Sequence, residues 1–246
     1  MKITLLQRDI AWADPQANMR RNDGLFSDDG GTDLYVFPEM FSTGFCTEPD
    51  GIAEPAPYET LRWMKEKAVR FRCAVAGSVA VEEAGRYFNR FYFVFPDGRT
   101  AQYDKRHLFT FGGEHLRFTP GRERVIVSYM GVRILPLICY DLRFPVWSRN
   151  RGDYDLIIYV ASWPAQRINV WRHLLRARAM ENQCYVAGVN RCEGGTVMVD
   201  PCGNVMAECP DGAEGRISAE IDLDRLKAIR AGFPVLDDAD DFRIGV

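Results

Sequence analysis

Three side chains that can do chemistry, Glu39, Lys105 and Cys139, lie where a strand-like run of the sequence meets a turn or helix signal. Active-site groups often occupy such strand ends. A free thiol has a pKa of about 8.5 and is mostly protonated near neutral pH, so a nucleophilic cysteine needs a base or a positive charge beside it. A carboxylate can accept that proton, and an ammonium group can stabilise an oxyanion. If the three segments converge, the set can attack a carbonyl carbon.

Each of these residues also has a structural explanation that requires no chemistry. Glu39, after the apolar run at 34–38, could be a solvated or helix-capping carboxylate. Lys105, in the charged stretch at 103–107, could face water on an outer strand. Cys139 could be a small core hydrophobe at the end of an apolar strand. Taken singly, the residue types leave both interpretations open.

The elements that would position these residues alternate between strands and helices. Runs rich in β-branched and aromatic residues predict strands at Ile3 to Gln7, Leu34 to Phe37, Ala74 to Val81, Arg90 to Phe95, Val132 to Cys139, Leu156 to Ala161 and Tyr185 to Val189. Apolar side chains at three- and four-residue steps predict helices over Tyr58 to Phe71 and Asn169 to Asn182. Turn residues at 96–98, 130–131 and 201–204 predict hairpins. Helices that cover sheets in a layered α/β sandwich fit this alternation.

Composition is that of an ordinary globular protein. Hydrophobic residues make up 47% and charged residues 26% of the 246 positions, and no repeat or linker separates two compositions, so a single domain over 1–246 is predicted. The 31 basic and 34 acidic residues give a formal charge of -3, too weak a field to favour nucleic acid or an anionic membrane. We therefore expect a small-molecule partner.

Cysteine usage and hydropathy together predict a cytoplasmic protein. The seven cysteines are an odd number without a C-x-x-C pair, which indicates reduced thiols. The first residues lack the apolar core of a signal peptide, and no segment has the ~20 consecutive apolar residues of a membrane helix. The remaining cysteines, the three histidines and the five tryptophans show no ligand spacing or paired-base pattern, and neither a metal nor an organic cofactor is expected.

The order strand-Pro-Glu, Asp-Lys-Arg and strand-Cys-Tyr-Asp-x-Arg-Phe-Pro resembles the nitrilase superfamily. The resemblance implies a Glu39, Lys105 and Cys139 triad on a four-layer α-β-β-α sandwich. It runs through most of the chain and includes Gly77-Ser78, Asn89-Arg90, the helical segment at 177–182 and the turn at 200–203. The family commonly forms dimers, so a homodimer is expected.

The triad roles follow from the chemistry of amide hydrolysis. Glu39 would accept the Cys139 proton, return it to the departing nitrogen and later activate water. Lys105 and the backbone N–H of Tyr140 would stabilise the oxyanion, since an amide following a nucleophile at a strand-to-helix turn can point at it. Glu114 resembles the family's second glutamate, which orients the lysine and the substrate; a solvated loop carboxylate is the alternative.

Two further residues follow the cysteine at short spacing. Arg143 could clamp a substrate carboxylate, because a guanidinium binds carboxylates in a bidentate fork. The interpretation we favour from the sequence is structural, with Asp141 and Arg143 bracing the turn after Cys139.

Within that superfamily, the stretches at 37–45, 103–109 and 139–149 resemble those of omega-amidases. The resemblance implies 2-oxoglutaramate and 2-oxosuccinamate as substrates, each with an amide at one end and an α-keto acid at the other. The pocket must then bind a carboxylate, to which the segment at 161–167 could contribute, with Trp163 as the candidate for the pocket wall. The chain departs from that branch at Cys192-Glu193-Gly194-Gly195, which replaces a commonly longer loop.

Three alternatives are retained. A nitrilase or N-carbamoyl amino acid amidohydrolase would use a related triad on another C–N group, and fold does not decide among them. A metal-dependent phosphoesterase with Glu39 as a Mg²⁺ ligand would need further Asp, Asn and His ligands at strand ends, and no convincing set is present. An inactive binding protein of the same fold should show damage to the triad, whereas Glu39, Lys105 and Cys139 are all intact.

Overall fold

Two six-stranded sheets form the centre of the computed structural model, which describes residues 1–26 and 31–243. The strands of the described residues are β1 Lys2–Gln7, β2 Leu34–Val36, β3 Ala74–Glu83, β4 Arg86–Val94, β5 Thr100–Asp104, β6 Val127–Tyr129, β7 Val132–Ile138, β8 Leu156–Val160, β9 Tyr185–Val189, β10 Val197–Val199, β11 Val205–Glu208 and β12 Gly215–Glu220. The α-helices are α1 Pro15–Asp23, α2 Glu59–Phe71, α3 Pro145–Ser148, α4 Ile168–Glu181 and α5 Leu223–Gly232. Short 3₁₀ helices lie at Thr110–Gly112, Glu114–Leu116, Cys139–Arg143, Ala165–Arg167 and Val235–Asp238.

Each sheet combines a parallel centre with antiparallel edges. The first has the order β12-β1-β2-β3-β4-β5 with β1, β2 and β3 parallel, and the second has the order β11-β10-β9-β8-β7-β6 with β7, β8 and β9 parallel. The strands β7, β8 and β9 read as nearly continuous apolar runs because both faces of a parallel sheet are covered. The parallel centres bring the carboxyl ends of β2, β7 and β8 to the region where the candidate residues lie.

The layers are α-β-β-α, as predicted. Helix α2 packs on β3 and β4 of the first sheet, and α4 packs on β9 and β10 of the second. The two sheets contact each other through β1 and β9 and through β4 and β7. Each helix supplies an apolar stripe to this packing, with Trp63, Met64 and Ala68 on α2 and Trp171, Leu175 and Ala179 on α4.

Every predicted strand and both predicted helices are present, with ends shifted by a few residues. The three predicted turns are also present. The residues at 96–98, 130–131 and 201–204 connect the antiparallel pairs β4 and β5, β6 and β7, and β10 and β11, respectively. The helices α1 and α5 and the edge strand β12 were not predicted. Across residues 1–26 and 31–243, none of the helices has the length and hydropathy needed to cross a bilayer.

Candidate active site

A buried ammonium group lies between two buried carboxylates. Lys105 follows β5 directly, and its Nζ donates to Glu39 Oε1 at 2.8 Å and to Glu114 Oε2 at 2.9 Å. All three side chains are fully shielded from solvent. Charges buried to this degree are tolerated only when they are paired and hydrogen-bonded. The outer-strand interpretation of Lys105, with its side chain in water, is therefore wrong.

Asn89 of β4 links the two carboxylates from the other side. Its Nδ2 donates to Glu39 Oε1 at 2.8 Å and to Glu114 Oε1 at 3.3 Å. The second oxygen of Glu39 accepts the backbone N–H of Ser162 at 2.8 Å, and the second oxygen of Glu114 accepts the backbone N–H of Phe109 at 2.6 Å. Each carboxylate thus has a fixed orientation, which pre-organises a group for proton transfer or charge stabilisation.

The segment carrying Glu39 is held against the end of β8. The backbone N–H of Glu39 donates to the Ala161 carbonyl at 3.4 Å, and the N–H of Met40 donates to Ser78 Oγ at 3.0 Å. Met40 has a φ of +45°, a conformation that needs support from its surroundings in a residue with a Cβ. The turn after β2 therefore carries the carboxylate from the first sheet across to the second.

Cys139 stands at the start of a 3₁₀ turn immediately after β7, with a φ of +46°. A sharp turn of this kind exposes a nucleophile at the top of a sheet. Burial raises the pKa of the Cys139 thiol well above its usual range, the charge of Glu39 raises it further, and Lys105 and the backbone N–H of Ser162 lower it. The resting group is a thiol with a carboxylate and an ammonium beside it.

The charge of the cluster explains the direction of that shift. Glu39, Glu114 and Lys105 together carry one net negative charge, so a resting thiolate at Cys139 would bury a second one. Burial disfavours the charged form of Lys105, but the carboxylates of Glu114 and Glu39 outweigh it and raise the lysine pKa. The lysine is a permanent cation. A proton moving from Cys139 to Glu39 leaves the net charge of the cluster unchanged.

A cavity of about 240 Å³ opens onto these groups. Of the residues predicted from the sequence, the cavity brings together Glu39, Lys105, Cys139, Tyr140 and Trp163, while Glu114 lies behind Lys105. The remaining lining residues are Phe45, Phe109, Arg143, Ser162, Pro164 and Arg167. This volume is below the ~300 to 1,000 Å³ common for drug-sized ligands, which suits a small substrate.

Two arginines line the same cavity, and neither has an anionic partner in the part of the chain that the structure describes. The Arg143 guanidinium lies over the Trp163 ring at 5.1 Å from its centroid, and the Arg167 guanidinium lies over Phe109 at 5.8 Å. Neither guanidinium has a hydrogen bond or ion pair within residues 1–26 and 31–243. Aromatic stacking positions each guanidinium without using its N–H donors. The pocket therefore presents two positive charges that a ligand can meet.

The favoured structural interpretation is correct for Asp141 and wrong for Arg143. Asp141 braces the turn by accepting the backbone N–H of Ile138 at 3.0 Å. Arg143 is exposed and lines the cavity, because the 3₁₀ turn points positions 141 and 143 in different directions. Sequence reasoning also missed the Asn89 bridge and gave Arg167 no role of its own. An unpaired arginine is recognised only from its surroundings in space.

The short loop at 192–195 is tied to the pocket wall. Asn190 Nδ2 donates to the Gly194 carbonyl at 2.7 Å and to the Trp163 carbonyl at 2.9 Å. The backbone N–H of Trp163 in turn donates to Asn190 Oδ1 at 2.7 Å. The loop thus helps to fix Trp163, which is 3% exposed and forms part of the cavity.

Known proteins resemble this chain over nearly its full length. The carbon-nitrogen hydrolase family model matches residues 2–231. The chain is 45% identical over 251 residues to the omega-amidase YafV of Yersinia enterocolitica, with 98% of each sequence covered. It is 35% identical over 251 residues to the 2-oxoglutaramate amidase of Bacillus subtilis strain 168, with 96% of each covered. A solved structure of a CN-hydrolase superfamily protein from Xanthomonas campestris, with an arsenic adduct in its active site, superposes with a TM-score of 0.94 at 39% identity and covers 100% of this chain and 99% of that one.

Proposed function

The chain belongs to the carbon-nitrogen hydrolase family of the nitrilase superfamily, and from that premise we propose that it is an omega-amidase. It hydrolyses the terminal amide of 2-oxoglutaramate or 2-oxosuccinamate to the 2-oxo dicarboxylic acid and ammonia. The observation that supports this proposal is one small cavity that contains a thiol, a carboxylate and an ammonium together with two arginines that have no ion pair within residues 1–26 and 31–243. The thiol, carboxylate and ammonium suit cleavage of an amide, and the two arginines suit binding of a carboxylate.

In the acylation step, the Cys139 sulfur attacks the amide carbon while its proton passes to Glu39. Transfer during attack avoids a resting buried thiolate, which the raised pKa of Cys139 disfavours because of burial and the charge of Glu39. The tetrahedral intermediate collapses, the C–N bond breaks, and Glu39 gives the proton to the nitrogen. Ammonia leaves, and the acyl group remains on sulfur as a thioester.

The oxyanion of each tetrahedral intermediate is stabilised by Lys105 Nζ and the backbone N–H of Tyr140. The first N–H groups of a 3₁₀ turn have no acceptor within the turn, so the N–H of Tyr140 can donate to the oxyanion. Glu114 and Glu39 hold the Lys105 ammonium at 2.9 and 2.8 Å, so the lysine is oriented before substrate arrives.

In the deacylation step, water attacks the thioester carbon and gives a proton to Glu39. The C–S bond breaks, the sulfur recovers the proton, and the acid leaves. One carboxylate therefore acts in both half-reactions, which matches the two fixed hydrogen bonds that orient Glu39 towards Asn89 and Ser162.

The acid end of the substrate is recognised by Arg143 and Arg167. Each guanidinium offers several donors in a planar fork that fits a carboxylate, and neither has an ion pair among the described residues that would compete. Trp163 forms the wall beneath Arg143. Recognition of this end distinguishes an ω-amide of a keto acid from a simple aliphatic amide.

A substrate panel tests the proposal directly. We expect rapid ammonia release from 2-oxoglutaramate and 2-oxosuccinamate, and slow release from butanamide, which has no carboxylate. Aliphatic nitriles and N-carbamoyl amino acids should be poor substrates. Strong activity only on nitriles or only on carbamoyl compounds would assign the chain to the alternative branch of the family, and no activity on any of them would support an inactive member.

Removing either guanidinium should weaken binding of the acid without affecting the amide chemistry. Hydrogen bonds to charged groups contribute about 1.5 to 3 kcal/mol, so Arg143→Met and Arg167→Met should each raise the KM for 2-oxoglutaramate roughly 10- to 150-fold. The KM for butanamide should change little. Arg62→Met is the matched control, since Arg62 is a surface arginine on α2. An equal rise in KM for both amides would remove the arginines from carboxylate recognition.

A homodimer in the cytoplasm completes the proposal. The resemblance to a family that commonly forms dimers supports the assembly, and seven free thiols suit a reducing compartment. Sedimentation velocity tests the dimer, which a monomer mass at micromolar concentration would contradict. Cell fractionation tests the location.

A further inference from the structure

Asp141, two residues after the candidate nucleophile, is a fully buried carboxylate that joins three segments of the chain. It accepts the backbone N–H of Ile138 at 3.0 Å and the hydroxyl of Tyr103 at 2.8 Å. It also accepts the backbone N–H of His107 at 2.9 Å and the His107 Nδ1–H at 2.8 Å. These donors come from the end of β7, from β5 and from the segment that follows Lys105. One side chain thus connects the nucleophile's turn to the lysine's segment.

His107 completes this connection in two ways. Its ring stacks on Phe144 with 3.8 Å between centroids and 7° between planes, and Phe144 is where the 3₁₀ turn ends. Its Nδ1 faces the Asp141 carboxylate, so that nitrogen carries the proton. His107 lies two positions after Lys105, whose backbone N–H donates to the Asn89 carbonyl at 2.9 Å. The lysine is therefore fixed on both sides, by β4 and by the Asp141 contact.

Tyr103 is a second node of the same network. Its hydroxyl donates to Asp141 and accepts the backbone N–H of Arg106 at 3.1 Å and the Trp147 Nε1–H at 3.2 Å. Burial raises the pKa of Tyr103 well above its usual range, and the charge of Asp141 raises it further, so the hydroxyl keeps its proton. Trp147 belongs to α3, which extends the network to the element after the turn.

The nucleophile needs this support because its backbone is strained. A residue with a Cβ at positive φ costs about 1 to 2 kcal/mol and persists only when its surroundings over-determine it. Cys139 has a φ of +46°, and the Asp141 side chain holds the N–H of Ile138 directly before it. Asp141 has no Lys or Arg partner within the described ranges, so its contribution to the site is through the donors it orients.

We propose that Asp141 and His107 are positioning residues that hold the Cys139 turn in register with Lys105, so that the Tyr140 N–H and the lysine ammonium meet at one oxyanion. The proposal rests on the catalytic roles assigned above. Misplacement of reacting groups by about 1 Å can reduce turnover about 100-fold. The network therefore acts on the tetrahedral intermediate and leaves the reactivity of the sulfur itself largely unchanged.

Two substitutions at position 107 separate the hydrogen bond from the packing. His107→Phe keeps a ring to stack on Phe144 and removes the donor, whereas His107→Asn keeps an N–H donor near the Nδ1 position and removes the ring. The side chain is 23% exposed, so both variants should fold. We expect His107→Phe to lower kcat for 2-oxoglutaramate roughly 10- to 100-fold with little change in KM. His107→Asn should keep most of the wild-type kcat. Asp141→Asn should lower kcat as much as His107→Phe does, or more.

Alkylation of Cys139 by iodoacetamide provides the second readout. In this reaction the thiol proton passes to Glu39, a C–S bond forms and iodide leaves, and no oxyanion develops. Its rate therefore depends on the thiol, its base and the nearby Lys105 charge, but not on the alignment of the two oxyanion donors. Its rate at Cys139, followed by peptide mass spectrometry against the accessible Cys192 and Cys202, should stay within about threefold of wild type in all three variants. A purely structural role would instead lower both reactions together with the melting temperature.

The rates of hydrolysis and of Cys139 alkylation in these variants together decide whether the network positions the oxyanion donors. Equal losses in hydrolysis and alkylation would overturn the proposal, because the network would then govern the thiol. Undiminished hydrolysis by His107→Phe in an otherwise active enzyme would overturn this inference alone. A wild-type chain that releases no ammonia from any amide would overturn the proposed function and, with it, the positioning roles.

Discussion

Replacing Cys139 with alanine is expected to abolish ammonia release while the protein remains folded. The substitution removes only the sulfur, and alanine meets the same positive φ as cysteine, so the turn after β7 gains no new strain. Without the nucleophile no thioester can form, and turnover should fall at least about 10⁴-fold. The direct measurement is ammonia release from 2-oxoglutaramate, with the melting temperature as the check on folding.

The other thiols provide matched controls for that experiment. Cys192 and Cys202 are accessible but lie outside the cavity, so Cys192→Ala and Cys202→Ala should keep full activity. Mass spectrometry of the rapidly quenched wild-type reaction should find the acyl adduct on the peptide containing Cys139. An adduct on another cysteine, or full activity in Cys139→Ala, would end the nucleophile hypothesis.

The elements that could be predicted are those with a hydropathy pattern visible within their own stretch of sequence. Strands β7, β8 and β9 are apolar on both faces, and α2 and α4 carry apolar stripes at helical period. Helix α1 has no such stripe, because two of its three buried residues are asparagines. Asn18 Nδ2 donates to the carbonyls of Ala11 and Ser42. The helix is therefore held partly by hydrogen bonds, which a hydropathy pattern does not reveal. Helix α5 buries only Leu226, and β12 is half exposed along its length.

The site was predictable only in part for a related reason. Residue type and strand-end position mark Glu39, Lys105 and Cys139 as candidates, yet their convergence depends on two sheets packing face to face. That contact is long-range and has no local signature. Arg143 illustrates the limit, since the sequence favoured a bracing role and the structure places the side chain in the cavity over Trp163. Whether an arginine is free or paired is a property of its surroundings in space.

Replacing Lys105 with methionine is expected to reduce turnover far more than binding. Removal of one oxyanion donor costs about 3 to 4 kcal/mol of transition-state stabilisation, so kcat should fall roughly 10²- to 10³-fold with KM nearly unchanged. The same change leaves Glu39 and Glu114 buried without their cation, 2.8 and 2.9 Å from where it was. The free energy of unfolding should therefore fall as well, by about 3 to 5 kcal/mol. Initial rates and denaturant unfolding measure the two effects separately.

The double variant Lys105→Met/Glu114→Gln separates catalysis from charge balance. The wild-type cluster of Glu39, Glu114 and Lys105 carries one net negative charge, the single variant carries two, and the double variant returns to one. The side-chain amide introduced by Glu114→Gln can still accept the backbone N–H of Phe109 through its oxygen. We expect the double variant to regain much of the lost stability and none of the lost kcat, because the ammonium is still missing from the oxyanion. Recovery of kcat to within tenfold of wild type would mean that Lys105 only neutralises the two carboxylates, and the oxyanion role would pass to the backbone alone.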